Sequence, residues 1–331
     1  MKTISLGRTA LPVTPMGLGL AALGRPGYIN LGHAEDLAGD TEVSAMAARA
    51  HAVLDAAWAA GVRYFDAARS YGRAEAFLSD WIRARHLDPG LVTVGSKWGY
   101  VYTADWQVKA AHHEIKEHSL SRLNQQWRES RELLGDHLKL YQIHSATLES
   151  GVLDNTAVLN ALAGLKAKGV GVGLSVSGPR QAEVIRRACA CRIDGRLLFD
   201  TIQATWNLIE RSAGPALADA HAAGMGIIVK EGLANGRLTS RNADPAFTER
   251  SRRLAQEARR LETTVDALSL AAVLAQPWTD VVLSGAARTD HLLANLKALD
   301  VRWTARTDTA LAGLSETAPE YWRIRAALAW N

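Results

Sequence analysis

The sequence has 331 residues, 48% hydrophobic and 22% charged, which is enough apolar mass for a large core and excludes collagen-like, disordered and disulfide-stapled classes. Lys and Arg number 38 against 34 Asp and Glu, a formal charge of +4 with no run of five like charges, so neither a nucleic-acid footprint nor a polybasic membrane anchor is expected. No stretch of ~18 apolar residues is present. Pro15, Gly17, Gly19 and Gly24 break the apolar stretch near the start, and a cytoplasmic protein is expected.

Short apolar runs alternate with longer amphipathic segments, the pattern of a parallel α/β protein. Ile4 to Leu6 and Leu11 to Val13, broken by Gly7 and Pro12, predict a small hairpin. Eight strands follow, at Met16 to Leu20, Val62 to Asp66, Leu91 to Lys97, Leu138 to His144, Val170 to Val176, Asp200 to Ala204, Gly226 to Lys230 and Val281 to Leu283. Helices are predicted between them at Val43 to Ala60, Ala74 to Arg85, Ile115 to Leu134, Thr156 to Lys168, Pro179 to Cys191 and Pro215 to Ala223. Phe247 to Leu261 with Val265 to Ala275, and then Asp290 to Leu299, complete the set. Eight strand–helix units in about 290 residues predict a (β/α)8 TIM barrel, one domain over residues 1–331, with an N-terminal β-hairpin and a C-terminal helical tail. A doubly wound sheet would want G-x-G-x-x-G after its first strand. Gly17-Leu18-Gly19 is followed by Leu20, Ala21 and Ala22 and lacks the third glycine. The irregular stretch from Gly24 to Thr41 follows the first strand, so in a barrel it hangs over the C-terminal mouth. Cys189 and Cys191 lie one residue apart in a predicted helix, without further ligands at metal spacing, and are expected to be reduced packing residues with no metal.

In a barrel, polar side chains at strand C-terminal ends are the functional candidates. The second strand ends at Asp66, with Tyr71 five residues on; the third ends Ser96-Lys97-Trp98 and the fourth Gln142-Ile143-His144. Proton transfer coupled to hydride transfer wants this set. A free tyrosine has a pKa near ~10, a buried ammonium beside it favours the phenolate, and a carboxylate keeps that ammonium charged and oriented. Tyr71 is then the acid–base, Lys97 its tuner, Asp66 the partner of Lys97, and His144 the group that orients a carbonyl. The hydride comes from a nicotinamide, since the sequence offers no redox group of its own.

On these residues the sequence resembles the aldo-keto reductase superfamily, in its bacterial branch of unassigned substrates. The stretch Gly61-Val-Arg-Tyr-Phe-Asp-Ala-Ala-Arg-Ser-Tyr-Gly72 carries the resemblance, with Gly95-Ser-Lys97, Gln142-Ile-His144, Gly173-Leu-Ser175 and Gln203 to Asn207. Leu233 to Leu238 and Gly285-Ala-Ala-Arg288 through Asn295 extend it in family order across nearly the whole chain. The resemblance implies a (β/α)8 barrel, NAD(P)H-dependent carbonyl chemistry, and a tetrad of Asp66, Tyr71, Lys97 and His144. It also implies cofactor contacts from Gly19, Ser175, Gln203, Lys230, Leu233, Gly285, Arg288, His291 and Asn295, with Ser175 and Gln203 on the carboxamide. Arg288 on a 2′-phosphate would favour NADP(H) over NAD(H).

Val176 stands where relatives often carry Asn, Ala67 where they carry Thr, and Lys230 where many stack an aromatic ring on the nicotinamide; Trp206 is a candidate substitute. Trp98 and Tyr100, with Tyr102 and Trp106 beyond them, either wall a pocket for an apolar or sugar-ring substrate or pack within their own loop. The tail with Tyr321, Trp322 and Trp330 shapes the substrate site, docks as a helix or makes an oligomer contact, and the arginines of residues 250–260 form a solvated face. The leading expectation is NADPH-dependent reduction of a small aldehyde or ketone, Tyr71 giving the proton. An NAD(P)-dependent sugar dehydrogenase and an NADPH-binding sensor subunit with little turnover are the alternatives. A small-molecule partner is expected, without nucleic acid or membrane.

Overall fold

Side chains alternate across a strand, so each of the short apolar runs presents one row inward and one outward when the sheet closes. The computed structural model, which describes residues 1–331, closes eight parallel strands into a barrel. They are Met16–Gly19, Tyr64–Asp66, Thr93–Trp98, Leu138–Ala146, Gly171–Val176, Thr201–Thr205, Gly226–Lys230 and Val281–Ser284, the last pairing back onto the first. All eight coincide with the predicted strands to within a few residues. The outward rows, among them Phe65, Val94, Tyr141, Leu174, Ile202 and Val229, join the helices in the main hydrophobic cluster. In the helix Val43–Ala59, Met46, Ala50, Val53, Leu54 and Ala57 repeat at three- and four-residue spacing and form its buried face.

The inward rows do two different jobs along the axis. Toward the strand N-termini, Tyr64, Leu140, Ile228, Val281 and Leu283 meet Leu6 and Val13 of the hairpin Ile4–Ser5/Pro12–Val13, which plugs the floor. Tyr64 reaches far enough across that a Cβ at Gly95 would lie 2.5 Å from its hydroxyl, so the third strand needs a glycine there. Toward the C-termini the inward row turns polar, with Asp66, Lys97, Gln142, His144 and Gln203. Register places Asp66 opposite Gly95, Lys97 opposite Gln142, and Gln203 opposite Ser175.

The predicted helix from Ile115 is replaced by two elements. Glu114–Lys116 pairs antiparallel with Tyr100–Tyr102, and the helix begins only at Leu120, where the Ser119 hydroxyl accepts from Arg122 N at 3.2 Å. Ile115 alternates with Glu114 and Lys116 as a strand residue does, a period-2 signal absorbed into the longer helical reading. A second small hairpin, Arg192–Ile193 with Arg196–Leu197, also escaped the sequence reading, and Cys191 lies one residue past the helix Gln181–Ala190. Both cysteines are free thiols. The tail forms the helices Ala305–Leu311 and Ala318–Ala326. No helix is long and apolar enough to cross a membrane.

Candidate active site

The polar inner row opens into a cavity of about 520 Å³ at the strand C-terminal ends. Asp66, Tyr71 and His144 line it, with Gly19, Gln203, Lys230, Leu233, Gly285, His291 and Asn295 from the predicted cofactor set. The segment between Gly24 and Thr41 does cover the mouth, contributing Arg25, Tyr28 and Asp36 to the lining.

The four tetrad positions come together. Lys97, fully buried, makes an ion pair with Asp66 and donates to Ala67 O at 2.8 Å. The other Asp66 oxygen accepts from Gln203 Nε2 at 2.8 Å and from the Tyr64 hydroxyl at 3.1 Å. The Tyr71 hydroxyl lies 3.5 Å from His144 Nε2, while His144 Nδ1 faces the Ser70 hydroxyl at 3.3 Å.

Electrostatics correct one expectation. Burial pushes the Tyr71 hydroxyl well above its ordinary pKa, and the Asp66 charge pushes it further. Lys97 approaches the ring, 4.9 Å from its centroid, but its proton donors go to Asp66 and Ala67. The free side chain is therefore a protonated phenol, and the anticipated shift toward phenolate is absent. Burial, with Lys97 and Arg25 adding like charge, holds His144 well below the usual imidazole range, so it is neutral.

Other predicted residues fall elsewhere. Ser175 is buried outside the cavity lining, and its hydroxyl accepts from Ser145 N at 2.8 Å. That bond anchors an irregularity in the strand, where Ser145 takes a positive φ of 50° directly after His144. Ser175 therefore positions the backbone beside His144. Trp98 alternates with inward Lys97, faces outward and sits in the main hydrophobic cluster, so it does not wall the pocket. Tyr100 is outside the lining as well, although its ring centroid is 4.9 Å from that of His144. Trp206 packs edge-on against Trp278 in the core, and Trp106 donates to Thr41 O at 2.7 Å within the mouth loops. Arg288 is half exposed, forks onto Asp290 at 2.9 Å and stays outside the lining. The cation at that end of the cavity is Arg241, on Asp36 at 2.5 Å, with its other contact to His291 Nε2, which accepts at 3.2 Å. The arginines of the helix Thr248–Arg260 are largely spent on neighbours, Arg250 on Glu316 and Arg260 on Glu257.

Lys230, named from the sequence as a cofactor contact, donates to the Thr205 hydroxyl at 2.7 Å, and burial pulls its ammonium down to about 8. Its neighbours Glu231, Arg325 and Arg25 were missed. The adjacent Glu231, held near 2 despite burial by Arg325 and Lys230, binds Arg325 through bonds of 2.5 to 3.0 Å. The Arg25 guanidinium lies 5.0, 5.1 and 4.8 Å from the ring centroids of Tyr28, Tyr71 and Trp330. Only the position of Arg25 in the Gly-rich mouth segment hinted at this; Glu231 and Arg325 are joined by the fold across 94 residues.

An eight-stranded parallel barrel with ionisable side chains gathered at its C-terminal mouth has the layout of a barrel enzyme. The Aldo/keto reductase family profile matches residues 15–314, and the chain belongs to that family of NAD(P)H-dependent enzymes. It is similar to YqkF of Bacillus subtilis (strain 168), named an uncharacterized oxidoreductase, at 26% identity over 328 residues, spanning 91% of this chain and 92% of that one. Over 101 residues it is 37% identical to the pyridoxal 4-dehydrogenase of Microbacterium luteolum, 30% of this chain and 24% of that protein. The fold superposes on the holo form of the aldo-keto reductase AKR11C1 from Bacillus halodurans with a TM-score of 0.73 at 20% identity, covering 96% and 97% of the two chains.

Proposed function

We propose that this enzyme reduces a small aldehyde or ketone to an alcohol with NADPH, Tyr71 donating the proton. The observation that carries this reading is the Tyr71 hydroxyl 3.5 Å from His144 Nε2, backed by a closed Asp66–Lys97 pair, at the wall of one cavity. A carbonyl oxygen between them receives a hydrogen bond from His144 Nε2, with the Ser70 hydroxyl donating to Nδ1 and fixing that tautomer. As the carbonyl takes up hydride, the Tyr71 O–H bond breaks and its proton goes to the new alkoxide. Lys97, 4.9 Å from the ring centroid, offsets the negative charge left on the phenol oxygen.

The remaining wall suits a nicotinamide dinucleotide. Gln203 spends its amide nitrogen on Asp66 and retains a carbonyl oxygen for a carboxamide. Space beside Gly285 is open, with nothing within 4 Å of an added Cβ, so an extended ligand can approach the backbone. Asn295, His291 and Arg241 stand at the same end, and the Arg241 guanidinium supports a preference for the 2′-phosphate. When bound, the cofactor supplies the hydride. Oxidation of an alcohol would need Tyr71 as a base, which its burial disfavours. The test is NADPH consumption with a panel of aldehydes. Tyr71→Phe should lower turnover by about 10²–10⁴-fold while NADPH binding, read by cofactor fluorescence, is unchanged; near-normal turnover would refute the assignment.

A further inference from the structure

The reaction end of the cavity carries more positive charge than the tetrad requires. Arg25, Lys230 and Arg325 face it against two carboxylates, Glu114 and Glu231, with Asp66 already closed on Lys97. Arg325 is spent on Glu231. Lys230 gives one N–H to Thr205 and pairs with Glu231 at 3.6 Å, which leaves one of its three donors uncommitted.

Arg25 is the sharper feature. It is only 3% exposed, and its Nη1 donates to Ser70 O at 3.2 Å and to Glu114 at 3.0 Å. Nη2 has no protein acceptor, and Nε is buried without a partner. A guanidinium donor without an acceptor is costly; Nε is sealed from the cavity, so Nη2, which is not among the buried unpartnered atoms, is the donor an incoming carboxylate can reach. Three aromatic rings fix the plane of the guanidinium beside the Tyr71 ring.

We infer that Arg25 is a specificity-determining residue, and that the substrate is an oxo-acid whose carboxylate accepts from Nη2 of Arg25, aided by Lys230, while its carbonyl meets Tyr71 and His144. This rests on the carbonyl-reduction reading and deepens it. No atom of Arg25 needs to take part in the chemistry; it sets which carbonyl arrives and in which orientation.

The test pairs 4-carboxybenzaldehyde with its neutral methyl ester. The wild-type enzyme should prefer the acid by about tenfold or more in kcat/KM, the range expected for charge-assisted hydrogen bonds. Arg25→Gln should remove that preference, about 10–100-fold and mostly in KM, while moving the ester less than about threefold; Arg25→Lys should restore part of it. An equal loss on both substrates means a purely structural role and overturns the inference, as does a wild type that favours the ester. A second arm needs no turnover: 4-(hydroxymethyl)benzoate and its methyl ester are titrated by the fluorescence of the tryptophans, Trp330 lying against Arg25. Carboxylate binding that depends on Arg25 without reduction of any carbonyl keeps the anion site and refutes the catalytic reading. Reduction of neutral carbonyls with no preference for the carboxylate in either arm does the reverse.

Discussion

The Asp66–Lys97 pair can be tested as an energetic unit. Both side chains are essentially out of water, at 2% and 0% exposure, so neither charge has solvent to fall back on. In Asp66→Asn, Lys97 keeps only neutral acceptors, the new amide oxygen and Ala67 O, and the amide presents N–H groups to Tyr64 and Gln203 where an anion accepted from both. Stranding one partner of a buried pair costs about 3–5 kcal/mol. For 331 residues, an unfolding entropy of ~2.1 cal/mol/K per residue converts that into a Tm fall of about 4–7 °C. Lys97→Met strands Asp66 and should cost a similar amount. The double variant leaves no buried charge at this point, so it should melt above either single variant, although all three lack activity. Differential scanning calorimetry on the four proteins closes the cycle. Additive single losses, or singles within about 1 °C of wild type, would refute the claim that this pair is dry and mutually dependent.

With a neutral aldehyde, kcat/KM should show no alkaline fall through pH 10, because Tyr71 titrates above its ordinary value and its protonated form is the donor; a descending limb at or below pH 9 would contradict that direction. Arg241→Ala should weaken NADPH by about tenfold and NADH much less, whereas Arg288→Ala should leave both nearly unchanged; cofactor fluorescence titrations decide between them. Trp98→Ala should cost about 3–5 kcal/mol of stability as an outward-facing core residue without changing KM, and a selective rise in KM would return Trp98 to the pocket.

The barrel was legible because each strand is a short apolar run that ends in a polar residue or a turn, and the tetrad because its members sit at those ends. Facing was legible in principle too. Lys97 and Trp98 are consecutive in a strand, so only one of them can look into the barrel, and the period-2 rule alone removes Trp98 from the pocket. What one sequence could not give is which side chains cross from loops. Arg25 meets Glu114, Glu231 meets Arg325 and Asp36 meets Arg241 over separations of 89, 94 and 205 residues. Arg288 shows the converse: local sequence pointed it at a phosphate, and the nearest carboxylate, two residues on, took it instead.

The plug of Leu6 and Val13 gives the barrel a blind bore with no drain. Water displaced by an arriving substrate has to leave past the substrate itself, through the ring formed by the mouth segment and the tail. Tyr28 and Asn331 exchange backbone hydrogen bonds of 3.1 Å across that ring, stitching its two sides together. Inbound ligand, outbound water and departing product therefore share one lane.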